Sequence, residues 1–369
     1  MGCVPQRFSP YHPGSKAALF PVAVVCAVIV YGLMSIALLN DSTMEVRKTA
    51  IQYKEKKSIH APGPWVPQKK WVKFPDRMWH GYQLPVLTAQ PLGRMGNIMG
   101  EYATLWALKH IYNTTVLVMP RMRFKLSCFP SLSLPDCPGG CNTTGWKRVG
   151  RSGGISRYDF TKIENAAAGL FGPETFVLTN CLFEIQLFNF FKEDLRREFT
   201  FSEEIQRKVR EFLARVQREW QAINNSTVLP VLVGFHVRRT DYAQHAFRLF
   251  GGKLPGTTYF TRALNYYRRK FSNAVAFVVA SDDMGFVRMK LGNNSDVYFS
   301  AGTSAFEDMA LLSSCNHSIV TLGSYGFWTG YLAGGEVVYP DVRTHRRYRF
   351  AREMYEITGI ANFTPIFPD

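Results

Sequence analysis

The alternation of apolar and polar blocks is most regular in the second half of the chain. Residues 231–237 form a short, β-branched apolar run led in by Pro230, which predicts a buried strand. Helical spacing over roughly 257–271 is followed by an apolar run at 275–280. The pattern then repeats: a shorter helix to Leu291, a strand at 297–300, a helix over 305–314, a strand at 319–322, a helix over 327–332 and a strand at 336–339. Alternation of this kind predicts a parallel sheet with helices on both faces. Upstream, a strand at 85–90, a glycine-rich loop at 93–100, a helix over 101–112 and a strand at 115–119 read as one βαβ unit. Residues 121–180 are irregular. The aromatic run 182–191 suits a core or the wall of an acceptor cleft, and Ser202 opens an amphipathic helix to about Trp220.

The N-terminal pattern differs. Residues 17–39 carry no charge, long enough for a tilted membrane-spanning signal-anchor and too long for the core of a cleaved signal peptide. This predicts a tail at 1–16, an anchor at 17–39, a stem rich in Pro and Trp at 40–80, and halves at 81–225 and 226–369. Positive charges after the anchor outnumber those before it, which by the charge rule alone would leave the body in the cytosol. The body, however, holds six Asn-x-Ser/Thr sequons, at Asn113, Asn142, Asn225, Asn293, Asn316 and Asn362, which favour a lumenal compartment. The net charge of +16 suits a polyanionic or phosphate-bearing partner, and a lumenal body removes nucleic acid from that list. Five of the cysteines (Cys128, Cys137, Cys141, Cys181, Cys315) lie in the body, allowing at most two internal disulfides, with a stapled loop expected around Pro138–Gly140.

Candidate chemistry gathers at strand ends. The strand at 231–237 runs into His236, Arg238, Arg239 and Asp241, and two adjacent guanidinium forks suit phosphate. Gly323, Ser324, Tyr325 and Gly326 precede a helix and offer N–H groups to an anion, or serve as an ordinary cap. Gly93, Gly96 and Gly100 are spaced unlike the dinucleotide fingerprint, and suit either a ligand, with Arg94 and Asn97, or close helix packing. Asp282 and Asp283 read as a solvated turn, since no Asp-x-Asp is present, and no zinc spacing occurs. Glu307 and Asp308 suit a helix's first turn, with Asp308 able to face the crevice instead. The basic run 343–352 reads as a solvated face.

Three motifs carry a resemblance. The stretch from Gly93 to His110 is similar to the opening motif of the animal galactoside α-1,2-fucosyltransferases of glycosyltransferase family 11. The stretch from His236 to Tyr242 resembles the His-x-Arg-Arg-x-Asp motif those enzymes share with α-1,6- and protein O-fucosyltransferases, and Asp308 to Trp328 resembles their third block. The resemblance implies an α/β, GT-B-like architecture of two facing Rossmann-like halves, with GDP-fucose as donor, a terminal β-galactoside as acceptor, and no metal or other cofactor. It implies Arg238 and Asp241 as catalytic residues. The donor would be bound by His236, Arg238, Arg239, Asp308, Ser324, Tyr325, Gly326, Gly93, Arg94, Gly96 and Asn97. It further implies a Golgi membrane location, and leaves self-association open. Ile98, Thr240 and Ala246 depart from the motifs, which leaves open another linkage or a glycan-binding relative without catalysis.

Overall fold

The computed structural model describes residues 70–150, 161–250, 252–302, 304–343 and 348–368, all within the compact unit Pro64–Asp369. The expected tail, the anchor at 17–39 and the stem up to residue 69 lie outside the described residues. Among the described residues no helix is long and apolar enough to cross a membrane.

A hairpin, β1 (Met78–Trp79) and β2 (Tyr82–Gln83), precedes a four-stranded parallel sheet. Its strands are β3 (Val86–Ala89), β4 (Thr115–Val116), β5 (Lys147–Val149) and β6 (Thr175–Leu178), in the order β4-β3-β6-β5. Helices α1 (Met95–Tyr112), α2 (Pro120–Lys125) and α3 (Thr161–Ala167) connect them. Then α4 (Ile185–Phe188), α5 (Lys192–Glu198) and the long α6 (Glu203–Asn224) lead to the second sheet. Only Val209, Leu213, Val216 and Trp220 of α6 are buried, the single apolar stripe its spacing predicts.

The second sheet has six parallel strands: β7 (Val231–Val237), β8 (Val275–Ser281), β9 (Val297–Phe299), β10 (His317–Val320), β11 (Val337–Pro340) and β12 (Phe363–Ile366). Intervening helices are α7 (Tyr242–Phe250), α8 (Thr257–Lys270), α9 (Met284–Leu291), α10 (Ala305–Ser313), α11 (Ser324–Ala333) and α12 (Arg352–Ile357). The order β12-β11-β10-β7-β8-β9 positions the site. From β7 the chain builds outward through β8 and β9, then returns to add β10 on the other flank. The crevice between β7 and β10 is therefore a topological switch point, where ligands of open α/β sheets bind beyond the carboxyl ends of the strands.

Several expectations need correcting. Helix α1 starts at Met95, six residues before its expected start at Glu101, because its glycines serve close packing. A Cβ on Gly100 would lie 1.9 Å from the Phe183 ring, and one on Gly96 2.8 Å from the Tyr325 nitrogen. Residues 70–83 pack on the globule: Trp79 meets Trp146 edge to face at 5.0 Å, and Lys73 Nζ donates to the carbonyls of Tyr112 and Asn113. The basic run near residue 350 is not simply a solvated face. Tyr348 and Phe350 are buried, Arg349 donates to the Cys181 carbonyl at 3.0 Å, and Arg352 pairs with Asp341. The stapled loop is present as Cys137–Cys141, while Cys128 and Cys315 are buried free thiols. Of the sequons, five Asn residues are exposed, but Asn362 Nδ2 is engaged by the Gly335 carbonyl.

Candidate active site

The seven residues of β7 deliver the motif to the switch point. His236 sits opposite Val320 of β10, and each strand's exit ties to the other: Thr321 N–H donates to the His236 carbonyl at 3.1 Å, and Arg238 N–H to Thr321 Oγ1 at 2.8 Å. The chain thus leaves the sheet with its direction fixed, and the Arg238 side chain is only 17% exposed.

Two carboxylates fix that guanidinium. Asp241 Oδ1 accepts from Nη2 at 2.5 Å, and Asp282 Oδ2 lies 2.8 Å from Nη1. Charge-assisted contacts of this kind are short and directional. Asp282 does more: its Oδ1 accepts the Arg239 N–H at 2.8 Å, and its Oδ2 also accepts from the Thr240 hydroxyl. The reading of Asp282 as a solvated turn residue is therefore wrong, since its carboxylate binds three consecutive motif residues and is 20% exposed. Its place at the carboxyl end of a buried strand was the available signal. Asp283 does act as a helix cap, accepting from Phe286 N–H. The Arg239 guanidinium carbon lies over the Phe286 ring, 3.4 Å from its centroid, with Nε 3.5 Å from Asp283 Oδ2, an ion pair too long for a strong hydrogen bond.

Asp241 joins the two sheets. Its second oxygen is 3.2 Å from Nη2 of Arg94, which caps α1. The Arg94 loop is held by both oxygens of buried Glu101, which accept the Leu92 N–H at 3.1 and 3.2 Å, and by Lys125 Nζ, which donates to the Gly93 carbonyl at 2.5 Å. Burial pushes the Glu101 carboxyl up to about 8, offset in part by the Leu92 N–H and nearby Arg349 and Lys125. Asn97 folds back over Gly93. Gly96 abuts Ser324 and Tyr325 and accepts at its carbonyl from Trp328 Nε1 at 2.9 Å, so the first turns of α1 and α11 touch.

Gly323, at φ +103°, turns the chain after β10 into α11 with its free N–H groups at the crevice. A side chain at Gly326 would meet His236 Nδ1 at 3.0 Å. His236 is buried, packs against the Tyr325 ring in a tilted arrangement with centroids 4.7 Å apart, and has no hydrogen-bond partner for Nδ1. Burial and the neighbouring Arg238 push its pKa down to about 3, so it is a neutral imidazole at physiological pH. Tyr325 reaches the Ala305 carbonyl at 2.6 Å, next to Asp308 on α10. Asp308 does face inward: burial raises its pKa while the Ser300 hydroxyl donates to it.

The motif residues of all three stretches are thus in contact with one another around a single crevice. Sequence reasoning missed Asp282, Thr321 and Glu101, together with the Tyr242–Tyr348 hydroxyl pair that packs beneath Gly323.

The profile of Glycosyl transferase family 11 matches residues 156–357. Galactoside alpha-(1,2)-fucosyltransferase 1 of Saimiri boliviensis boliviensis is 32% identical over 296 residues, 76% of this chain and 76% of that protein. The protein of the same name from Leontocebus fuscicollis is 32% identical over 259 residues, 68% and 67% of the two chains. Among solved structures, the fucosyltransferase NodZ from Bradyrhizobium aligns with a TM-score of 0.40 at 15% identity, covering 66% of this chain and 90% of that one. A glycosyl transferase family 9 protein from Veillonella parvula aligns at 0.38 and 12%, covering 76% and 85%.

Proposed function

The chain belongs to glycosyl transferase family 11, among the galactoside α-(1,2)-fucosyltransferases, and from that membership we propose that it moves L-fucose from GDP-β-L-fucose to the 2-hydroxyl of a terminal β-galactoside on glycoprotein or glycolipid glycans. One observation carries the reading: at the switch point a guanidinium is aligned by two carboxylates beside the free N–H groups of a helix N-terminus. Fixed positive charge and oriented N–H donors stabilise a departing diphosphate.

In this account Arg238 binds the β-phosphate oxygens as the bond from fucose C1 to GDP breaks. The acceptor O2 attacks C1 from the opposite face and releases its hydroxyl proton to solvent, so the β-linked donor gives an α-fucoside and GDP leaves. The α11 N–H groups of Ser324, Tyr325 and Gly326 hold phosphate, and Arg94 and Arg239 add charge at the rim. His236, neutral and with Nδ1 unpartnered, supplies a hydrogen bond without repelling the arginines. Asp308, held by Ser300, accepts from the N–H edge of guanine. Both oxygens of Asp241 are engaged by arginines, so its part is to align Arg94 and Arg238. The positive charge takes the place of a metal at the leaving group. The two parallel sheets correspond to the donor and acceptor halves of a GT-B arrangement. The exposed sequons and the apolar segment at 17–39 support a Golgi type II topology with the body lumenal.

Calorimetry with GDP tests the assignment. Arg238→Ala is expected to weaken GDP binding at least tenfold and to abolish fucose transfer measured with EDTA present. Unchanged GDP affinity in a folded Arg238→Ala chain would remove Arg238 from the phosphate site.

A further inference from the structure

The short helix α2 stands at the carboxyl edge of the first sheet, beside the crevice. Strands β3 and β4 run parallel, Val86 beside Thr115 and Leu87 beside Val116, so their carboxyl ends share one edge, about 4.8 Å apart. The exit of β3 forms the Arg94 loop, and the exit of β4 runs through Met119 into α2. Spacings of three and four residues put Arg121, Phe124 and Lys125 on one face of α2, while Met122 is buried. Two of these side chains show where that face points. Lys125 Nζ donates to the Gly93 carbonyl at 2.5 Å, and Arg121 and Lys125 both place positive charge near the Glu101 carboxyl. The third, Phe124, is 79% exposed, the most exposed of the large apolar side chains among the described residues.

An aromatic ring left in water beside a sugar-transfer site suits the apolar face of a pyranose. In galactose the C–H bonds at C3, C4 and C5 gather on one face, because the 4-hydroxyl is axial on the other. In glucose the C–H bond at C4 turns to the opposite face and breaks that apolar patch. Stacking the galactose face on a ring leaves its equatorial 2-hydroxyl in the plane of the sugar, free to enter the crevice at the Arg94–Asp241 ion pair.

We propose that Phe124 is the platform on which the acceptor galactose stacks, and that it favours β-galactosides over β-glucosides. The word acceptor rests on the transfer reading above, whereas a pyranose platform at Phe124 does not. The full chain is assayed with GDP-fucose and a matched pair of acceptors, one β-galactoside and one β-glucoside. Phe124→Ala is expected to raise KM for the galactoside about 3–10-fold, and to shrink the preference over the glucoside by the same factor. Its kcat and its KM for GDP-fucose stay within about twofold of the native values, the pattern of a lost ground-state contact. Phe124→Trp retains the native galactoside KM. A ring this exposed carries little of the fold, so the alanine variant is expected to melt with the native chain. A native galactoside KM in Phe124→Ala, or a rise in the GDP-fucose KM alongside it, overturns the proposal. Should no galactoside be fucosylated, the transfer reading fails, and saturation-transfer NMR with methyl β-galactoside and GDP still decides the platform. Saturation at the protons on C3, C4 and C5 that Phe124→Ala abolishes supports it, and no signal from the native chain refutes it.

Discussion

Replacing Asp282 with Asn tests whether the site depends on how Arg238 is held. The substitution keeps the shape and leaves Oδ1 to accept from the Arg239 N–H. In place of Oδ2 it puts an NH₂ group against Arg238 Nη1 and the Thr240 hydroxyl. Thr240 can rotate to accept, but a guanidinium has no acceptor, so one charge-assisted contact is lost. Such contacts are worth about 1.5–3 kcal/mol when largely shielded, and Asp282 is 20% exposed. Because Asp241 still holds Nη2, Arg238 stays near its place but loses one of its two alignments. At about 1.4 kcal/mol per factor of ten, kcat/KM is expected to fall about 10- to 100-fold. The assay is GDP release from GDP-fucose with a β-galactoside, run beside thermal melts so that loss of fold is seen separately. A folded Asp282→Asn enzyme with kcat/KM within about twofold of the native value would refute the positioning role.

Gly100→Ala is expected to destabilise the chain by about 1–3 kcal/mol, read by thermal or denaturant unfolding, because its Cβ would overlap the Phe183 ring. The Glu101 carboxyl, raised to about 8 in the fold from an ordinary value of 4.5, binds its proton more tightly folded than unfolded. Stability should therefore fall as pH rises from about 4.5 to 8, and Glu101→Gln should flatten that part of the stability profile. His236 shows the opposite sign. With its folded value near 3 and its ordinary value 6.5, its contribution is fully present above pH 6.5 and is lost as pH falls towards 3. Unfolding midpoints from pH 7 to 4 should show that loss, and it should be absent in His236→Phe if that variant folds.

Much of the second half of the fold was legible because most of its buried strands are continuous apolar runs and its helices carry their own periodicity, although β12 and α12 went unread. Strand 231–237, with His236 near its end and Arg238 and Asp241 just beyond it, followed directly from that pattern. Strands β5 and β6 were not read: β5 is three residues long, and its Lys147 and Arg148 are exposed on an outer strand. Helix α7 went unread because its polar first turn continues a charged motif. The start of α1 was misplaced because Gly96 and Gly100 look like loop residues until their contacts with Tyr325 and Phe183 are known. Asp282 was misread for a similar reason. Acidic pairs after strands are common in solvated turns, and only the neighbouring β7 exit turns this one into the partner of Arg238.

The central claim is transfer of fucose to the galactose 2-hydroxyl at the β7–β10 crevice. The most direct test is NMR linkage analysis of the product formed by the full chain from GDP-fucose and a terminal β-galactoside. The predicted result is a single α-L-fucosyl unit on galactose O2, formed with EDTA present and absent with Arg238→Ala. A β-fucoside, a different linkage, or no product from any β-galactoside would contradict it.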